Sequence, residues 1–223
     1  MYFYMKGLKS ARFILWAAIL VGSSMHTTNS FAGTAVALRE SYAGNLSYAL
    51  TGGSFRTAQN NVNACSTSSS SSNPLSSIPI SATIKKAYLY WAASGDGTNT
   101  DNQVTLNGAT ITADRMYTED TGTWDFFNGV ADITNLVKTY RNTTYTVSGL
   151  SIYSTPSHCS TQVLLGGWAI LVIYEADTLP FHILNLYEGF EYFRYRSFTL
   201  TPNNFKLPAT PSGKHAHITW EGD

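Results

Sequence analysis

The residue types best suited to chemistry stand together in YEGFEYFRYRSF, residues 187–198. Six aromatic rings interleave there with Glu188, Glu191, Arg194 and Arg196. Rings beside charged, hydrogen-bonding groups can form a sugar-stacking or protein-recognition surface. Tyr187, Phe190, Tyr192, Arg194, Tyr195 and Arg196 are therefore the candidate ligand-binding residues, the competing use of the same rings being to fill the core or edge of a β-sheet. Glu188 and Glu191 can be imagined as a glycosidase pair. Three residues apart in a turn-strand segment, however, they give no reason to expect opposed carboxyl groups ~5–10 Å apart.

Other candidates are weaker. Asp96, Asn99 and Asp101 in the loop GDGTNTDN offer hard oxygen donors suited to Ca²⁺, but their spacing departs from the D-x-[DN]-x-[DN]-G calcium pattern, and a solvated connection between strands is the plain alternative. Asp120-Thr121-Gly122-Thr123 matches an aspartic-protease half-site. That chemistry needs two carboxylates sharing a proton, and no second Asp-Ser/Thr-Gly occurs, so a turn is expected. His215 and His217, at i and i+2, would share a strand face, yet no third metal ligand is nominated. There is no G-x-S-x-G elbow, S-x-x-K pair or H-E-x-x-H helix,. No catalytic residue is assigned and no cofactor is expected beyond the candidate Ca²⁺ loop.

Cys65 and Cys159 are the only cysteines. In an oxidising compartment they are expected to form one disulfide; a metal site with the adjacent His158 has no recognisable zinc spacing. The compartment is indicated by residues 1–32. Lys6, Lys9 and Arg12 precede the apolar run Phe13 to Val21, and Ser30-Phe31-Ala32 sets small residues at −3 and −1 of a cleavage site before Gly33. These features predict a secretory signal peptide, with no transmembrane span once it is removed. Its loss takes three of the chain's 14 Lys+Arg and none of its 14 Asp+Glu, leaving 11 against 14 and a net charge of −3. A nucleic-acid-binding protein wants a basic stripe instead.

The elements that would position these residues are strands. Gly166 to Asp177, GGWAILVIYEAD, is apolar on both faces: Trp168, Ile170, Val172 and Tyr174 on one, Ala169, Leu171 and Ile173 on the other. This predicts a central strand covered on both sides. Ile84 to Ala93 places Ala87, Leu89, Trp91 and Ala93 on one face and Lys86, Tyr88 and Tyr90 on the other. Asn107-Gly108, between two alternating runs, predicts a type I′ hairpin. Leu46, Tyr48 and Leu50 alternate in a short strand, and Phe181 to Tyr187 reads as another. Phe205 to Leu207 and His215 to Trp220 read as two short late strands. Asp132 is expected to cap one short helix with Ile133, Leu136, Val137 and Tyr140 at helical spacing. The parity change at Gly149 within TYTVSGLSIY suggests a β-bulge, and the polar stretch Asn60 to Pro79, with its Ser tract at 66–72, a mobile loop or linker.

IKKAYLYWAASG, VTLNG, Asp132-Ile133-Thr134 with Leu136-Val137, TYTVSGL, GGWAILVIYE and ITWEGD occur in an order that resembles an uncharacterised family of exported bacterial and archaeal surface proteins, a domain of unknown function often found ahead of repeat domains. The resemblance covers residues 84–223. It implies a β-sandwich with a surface or adhesion-like role and carries over no catalytic residue. Similar sequences continue beyond the Glu-Gly-Asp segment, so residues 84–223 are expected to be a sandwich that stops short at its C-terminus. The combined expectation is a leader at 1–32, an N-terminal strand and Ser-rich loop at 33–83, and an all-β antiparallel jelly-roll-like β-sandwich with one short helix, 33–223 forming one domain. Its expected role is a secreted or cell-surface structural or adhesive module, non-enzymatic, meeting an extracellular glycan or surface protein and no nucleic acid. A secreted polysaccharide-acting hydrolase is the alternative.

Overall fold

Apolar alternation that differs on the two faces of a strand dictates layers, and three are found. The computed structural model describes residues 33–98, 100–193, 199–202, 209 and 213–220. The leader, Phe205 to Leu207 and Glu221 to Asp223 lie outside the described residues. In chain order the strands are β1 (Thr34–Gly44), β2 (Leu46–Ser54), β3 (Ser70–Leu75), β4 (Thr83–Gly95), β5 (Gln103–Leu106), β6 (Ala109–Thr112), β7 (Arg115–Asp120), β8 (Asp125–Asp132), β9 (Thr143–Ser148), β10 (Gly166–Glu175) and β11 (His182–Phe190). All their pairings are antiparallel.

The middle layer is a five-stranded sheet in the order β2-β10-β4-β8-β7. Its two apolar strands sit side by side, with Trp168 opposite Trp91 and Ile170 opposite Leu89. The inner face gathers Ala87, Leu89, Trp91 and Ala93 with Trp168, Ile170, Val172 and Tyr174. Against it lies a four-stranded sheet, β3-β9-β5-β6, contributing Leu75, Val104, Leu106, Tyr145 and Val147 to the same core. The fold is thus the expected all-β sandwich. Leu89, Trp91 and Ile170 are wholly buried, and burial of side chains this size contributes roughly 1.5–3 kcal/mol each.

The outer face carries Tyr88, Tyr90, Leu171 and Ile173. It is covered by a two-stranded ribbon of β1 and β11, whose Tyr42, Leu184 and Leu186 pack on it together with Ile218 and Trp220. β1, with 11 residues to the 9 of β11, is the longer part of this cover.

The hairpin between β5 and β6 turns at Asn107 (φ 48°) and Gly108 (φ 84°) as predicted, because both positions of a type I′ turn need positive φ. Other expectations are corrected. The Ser tract is no mobile loop along its whole length: Ser70 to Leu75 pairs residue for residue with β9. Main-chain pairing does not depend on side-chain size, and the strand is tied down by side chains too. Asn73 donates to the Gly52 carbonyl (2.6 Å), Thr51 donates to the Pro74 carbonyl (2.9 Å), and Leu75 is buried. Pro74, which lacks an N–H, is tolerated because β3 is an edge strand.

No bulge forms at Gly149. The strand ends at Ser148, Gly149 turns the chain at φ 78°, and Leu150 and Ile152 return to the same core from beyond the turn. His215 to Trp220 is not a strand: it carries no regular secondary structure and ends in a bend at Trp220. Three helices replace the expected one among the described residues: α1 (Asn60–Asn63), α2 (Thr134–Tyr140) and α3 (Pro156–Thr161). The predicted one is α2, but its N-cap is Ile133, without a side-chain cap; Asp132 stands one residue earlier and accepts from the Thr134 N–H and hydroxyl, while Ile133 and Val137 are buried and Tyr140 faces outward.

The additional helices flank the Cys65–Cys159 disulfide, which is formed as expected across 94 residues. Cys65 follows α1 and Cys159 lies within α3, where Thr155 and His158 make a reciprocal capping box. Both sulfurs are consumed, so the metal alternative with His158 falls. In the chain-entropy view, closing so long a loop contributes ~4–5 kcal/mol by restricting the unfolded chain. The double substitution Cys65→Ala/Cys159→Ala is expected to lose up to about 4 kcal/mol in urea unfolding with the native β-rich circular dichroism retained. A loss under ~1 kcal/mol would show that the bridge does little.

Candidate functional site

β11 alternates between faces, so Leu184, Leu186 and Glu188 share a parity that turns toward the sheet. Glu188 consequently arrives under the ribbon with its side chain 3% exposed. Burying a carboxylate is costly unless its oxygens are matched by charged and hydrogen-bonding partners. Here they are. Arg115, from β7, donates through Nε to Oε1 (2.7 Å) and Nη2 to Oε2 (2.9 Å); the Tyr117 hydroxyl donates to Oε1 (2.5 Å) and the Tyr90 hydroxyl to Oε2 (3.2 Å). This is a bidentate fork with both remaining lone-pair directions filled.

A second carboxylate extends the pattern. Glu40 of β1 accepts from Tyr88 (2.6 Å) and from Tyr42. The Arg115 guanidinium and the Lys86 ammonium each lie 5.4 Å from the centre of the Tyr88 ring, and Lys86 pairs with Asp132 at 2.8 Å. Three strands of the sheet and both strands of the ribbon are joined through charges and tyrosine hydroxyls.

The electrostatics oppose acid–base work. Burial alone would raise the Glu188 pKa, but the Arg115 and Tyr117 hydrogen bonds, the guanidinium charge and Tyr90 outweigh it, leaving the carboxyl below its ordinary range. Glu40 is likewise lowered, its two tyrosine bonds overcoming desolvation. Tyr90 and Tyr88 are pushed far up, first by burial and then by the carboxylates they serve; Tyr42 is raised to about 12 for the same reasons. At neutral pH the carboxylates stay ionised and the phenols neutral. Glu188 has no proton to give, and Glu191, the other imagined acid, accepts from the Val36 N–H of β1 at 2.9 Å.

The aromatic candidates divide. Phe190 is buried and shares a cluster with Phe126, Leu165 and Ala92. Tyr192 is half-buried and stacks on Phe126, ring centres 5.7 Å apart and planes 12° from parallel. Trp124 and Trp220, both half-buried, pack on the same cluster. Tyr187 is half-buried on the ribbon opposite Leu38. Arg194, Tyr195 and Arg196 lie outside the described residues, as does Asn99. Trp124 and Trp220 were not singled out from sequence; only the tertiary fold brings them beside Tyr192.

In the candidate calcium loop the carboxylates brace the chain. Asp96 Oδ1 accepts from the Thr98 N–H and hydroxyl. Asp101 accepts from the Gln103 N–H through Oδ1 and the Ser151 N–H through Oδ2, and its carbonyl accepts from the Trp91 indole. Asp125 is raised by burial, then by Asp120 and Asp96 nearby, yet among the described residues no group of three or more His, Cys, Asp or Glu is placed to hold a metal ion. Asp120-Thr121-Gly122-Thr123 is the expected turn, Asp120 accepting from the Gly122 N–H. His215 and His217 are exposed, rings 5.1 Å apart.

Because the folded-state pKa of Glu188 is depressed, its contribution to stability is present above the ordinary carboxylate pKa and lost as pH falls through the folded value. Glu188→Gln is expected to flatten the acid limb of a stability–pH curve below about pH 4.5, measured by urea unfolding. Arg115→Met, which strands a buried charge, is expected to cost about 3–5 kcal/mol at pH 7 and less in acid. Comparison with protein-family models, with curated proteins and with solved structures returns no match.

Proposed function

We propose that this chain is an exported, non-enzymatic module of a secreted or cell-surface protein that binds an extracellular glycan or surface protein through the aromatic patch where β11 ends. The observation that carries the binding reading is the Phe126–Tyr192 stack with the half-buried indoles of Trp124 and Trp220 beside it. Half-buried rings packed against a buried strand residue offer flat apolar area with little conformational entropy to lose, which suits pyranose stacking and protein contacts alike.

Export is supported by the leader-like residues 1–32 and by the disulfide, which suits an oxidising compartment,. Among the described residues no helix is long and apolar enough to cross a membrane. The ordered motifs that resemble exported surface proteins point the same way. The non-enzymatic reading draws on the engagement of Glu188 and Glu191 in the ribbon.

The test is a glycan array and a panel of surface-protein extracts probed with the secreted protein. Tyr192→Ala is expected to weaken capture roughly tenfold, on the order of 1–2 kcal/mol, with its thermal midpoint recorded as a folding control. Turnover of chromogenic glycosides that Glu188→Gln or Glu191→Gln abolishes would overturn the reading.

A further inference from the structure

We infer that the sandwich holds a site for its own mature amino terminus: the α-ammonium of Gly33, docked on the buried carboxylate of Glu119. This rests on the exported reading and adds to it a structural use for the cut.

Glu119 stands on β7 opposite Phe126 and is 2% exposed. Gly33 immediately precedes β1, whose first pairing is Thr34 with Phe190. A Cβ on Gly33 would overlap Glu119 Oε2 and lie 2.8 Å from Glu119 Cδ and 2.7 Å from the Phe190 carbonyl oxygen. Any residue but glycine collides there. The Gly33 nitrogen, two bonds from that Cβ position, therefore falls within about 4 Å of the carboxylate oxygen, the reach of an ion pair. Independently, Ser30-Phe31-Ala32 places the expected cleavage on the bond before this nitrogen,.

In the uncut chain that nitrogen is a neutral amide with one hydrogen. Hydrolysis of the Ala32–Gly33 bond consumes one water, leaves a carboxylate on Ala32 and an amine on Gly33, and the amine takes a proton from solvent. The neutral amide thereby becomes a unit positive charge with three donors within ion-pair reach of the Glu119 carboxylate. A cut displaced by one residue would move the charge by about 3.5 Å and lose the contact. Processing thus fastens the first residue of the ribbon to the sheet edge.

The experiment expresses the full chain with its leader in an exporting bacterial host. The processed protein is sequenced from its N-terminus, and its α-amine is pulse-labelled with acetic anhydride between pH 6 and 10, native and in denaturant. An ordinary α-amine titrates near 7.7–8.0. The native Gly33 amine is expected to label at least about fourfold more slowly at pH 8 than in denaturant, with its midpoint raised by about a unit or more. Burial without pairing would lower that midpoint instead. Because the folded pKa is raised, the thermal stability that docking contributes is present below about pH 8 and lost as pH rises through the raised value. Glu119→Gln and Gly33→Ala are each expected to restore ordinary labelling; should either fail to fold, the wild-type midpoint alone decides. A Gly33 terminus that titrates near 8 in the native protein overturns the docking and leaves export standing. A processed chain that starts at another residue overturns the docking and leaves export standing; a chain that keeps its leader overturns both.

Discussion

A sheet whose central strands are apolar on both faces must be covered twice, and nearly everything else in this molecule follows from how the second cover is held. The inner face of β4 and β10 meets a four-stranded sheet through a broad core containing Trp91, Trp168 and Tyr145. The outer face meets only two strands. So narrow a layer buries limited apolar area, and its attachment relies on the Glu188–Arg115 fork and the tyrosine hydroxyls around it. Such a buried pair is a poor source of net stability compared with packed hydrocarbon, because desolvation offsets much of its attraction. What it supplies is register. A one-residue slip of β11 would turn Glu188 to solvent and leave Arg115, Tyr117 and Tyr90 facing nothing.

The same arrangement sets the protonation state of Glu188. A general acid needs a pKa near the working pH and an open lone pair. Glu188 has a depressed pKa and filled coordination. At the same end of the molecule Tyr192 follows the last residue of β11 and stacks on Phe126 of β8, while Trp124 stands in the β7–β8 turn, its N–H donating to the Thr121 hydroxyl.

The scaffold was legible in the sequence wherever a single strand carried its own instructions. Two-sided patterning in β10 and β4 and the Asn107-Gly108 turn each specify a local outcome that long-range contacts only confirm, and two cysteines allow a single intramolecular pairing. The Ser tract was misread because its ladder with β9 depends on main-chain groups, to which composition is blind. The His215 to Trp220 segment failed for the opposite reason: its alternation is real, with Ile218 and Trp220 packed inward, but no strand edge is paired with it. The Glu188 network was invisible because Arg115 lies 73 residues away, and only the order β8-β7 beneath β11 brings the two together. Trp124 and Trp220 joined the aromatic patch by the same route.

The pairing of β1 with β11 also sets a schedule. Ser41 and Asn185 are bonded across 144 residues and Val36 and Glu191 across 155, so the first strand of the sandwich has no partner until the last has been made. Contacts of such sequence separation slow folding, since a large loop must close before they form. A polypeptide emerging from a ribosome would keep its leading segment extended for most of synthesis, a state that a membrane-threading channel can accept and a folded sandwich would deny it.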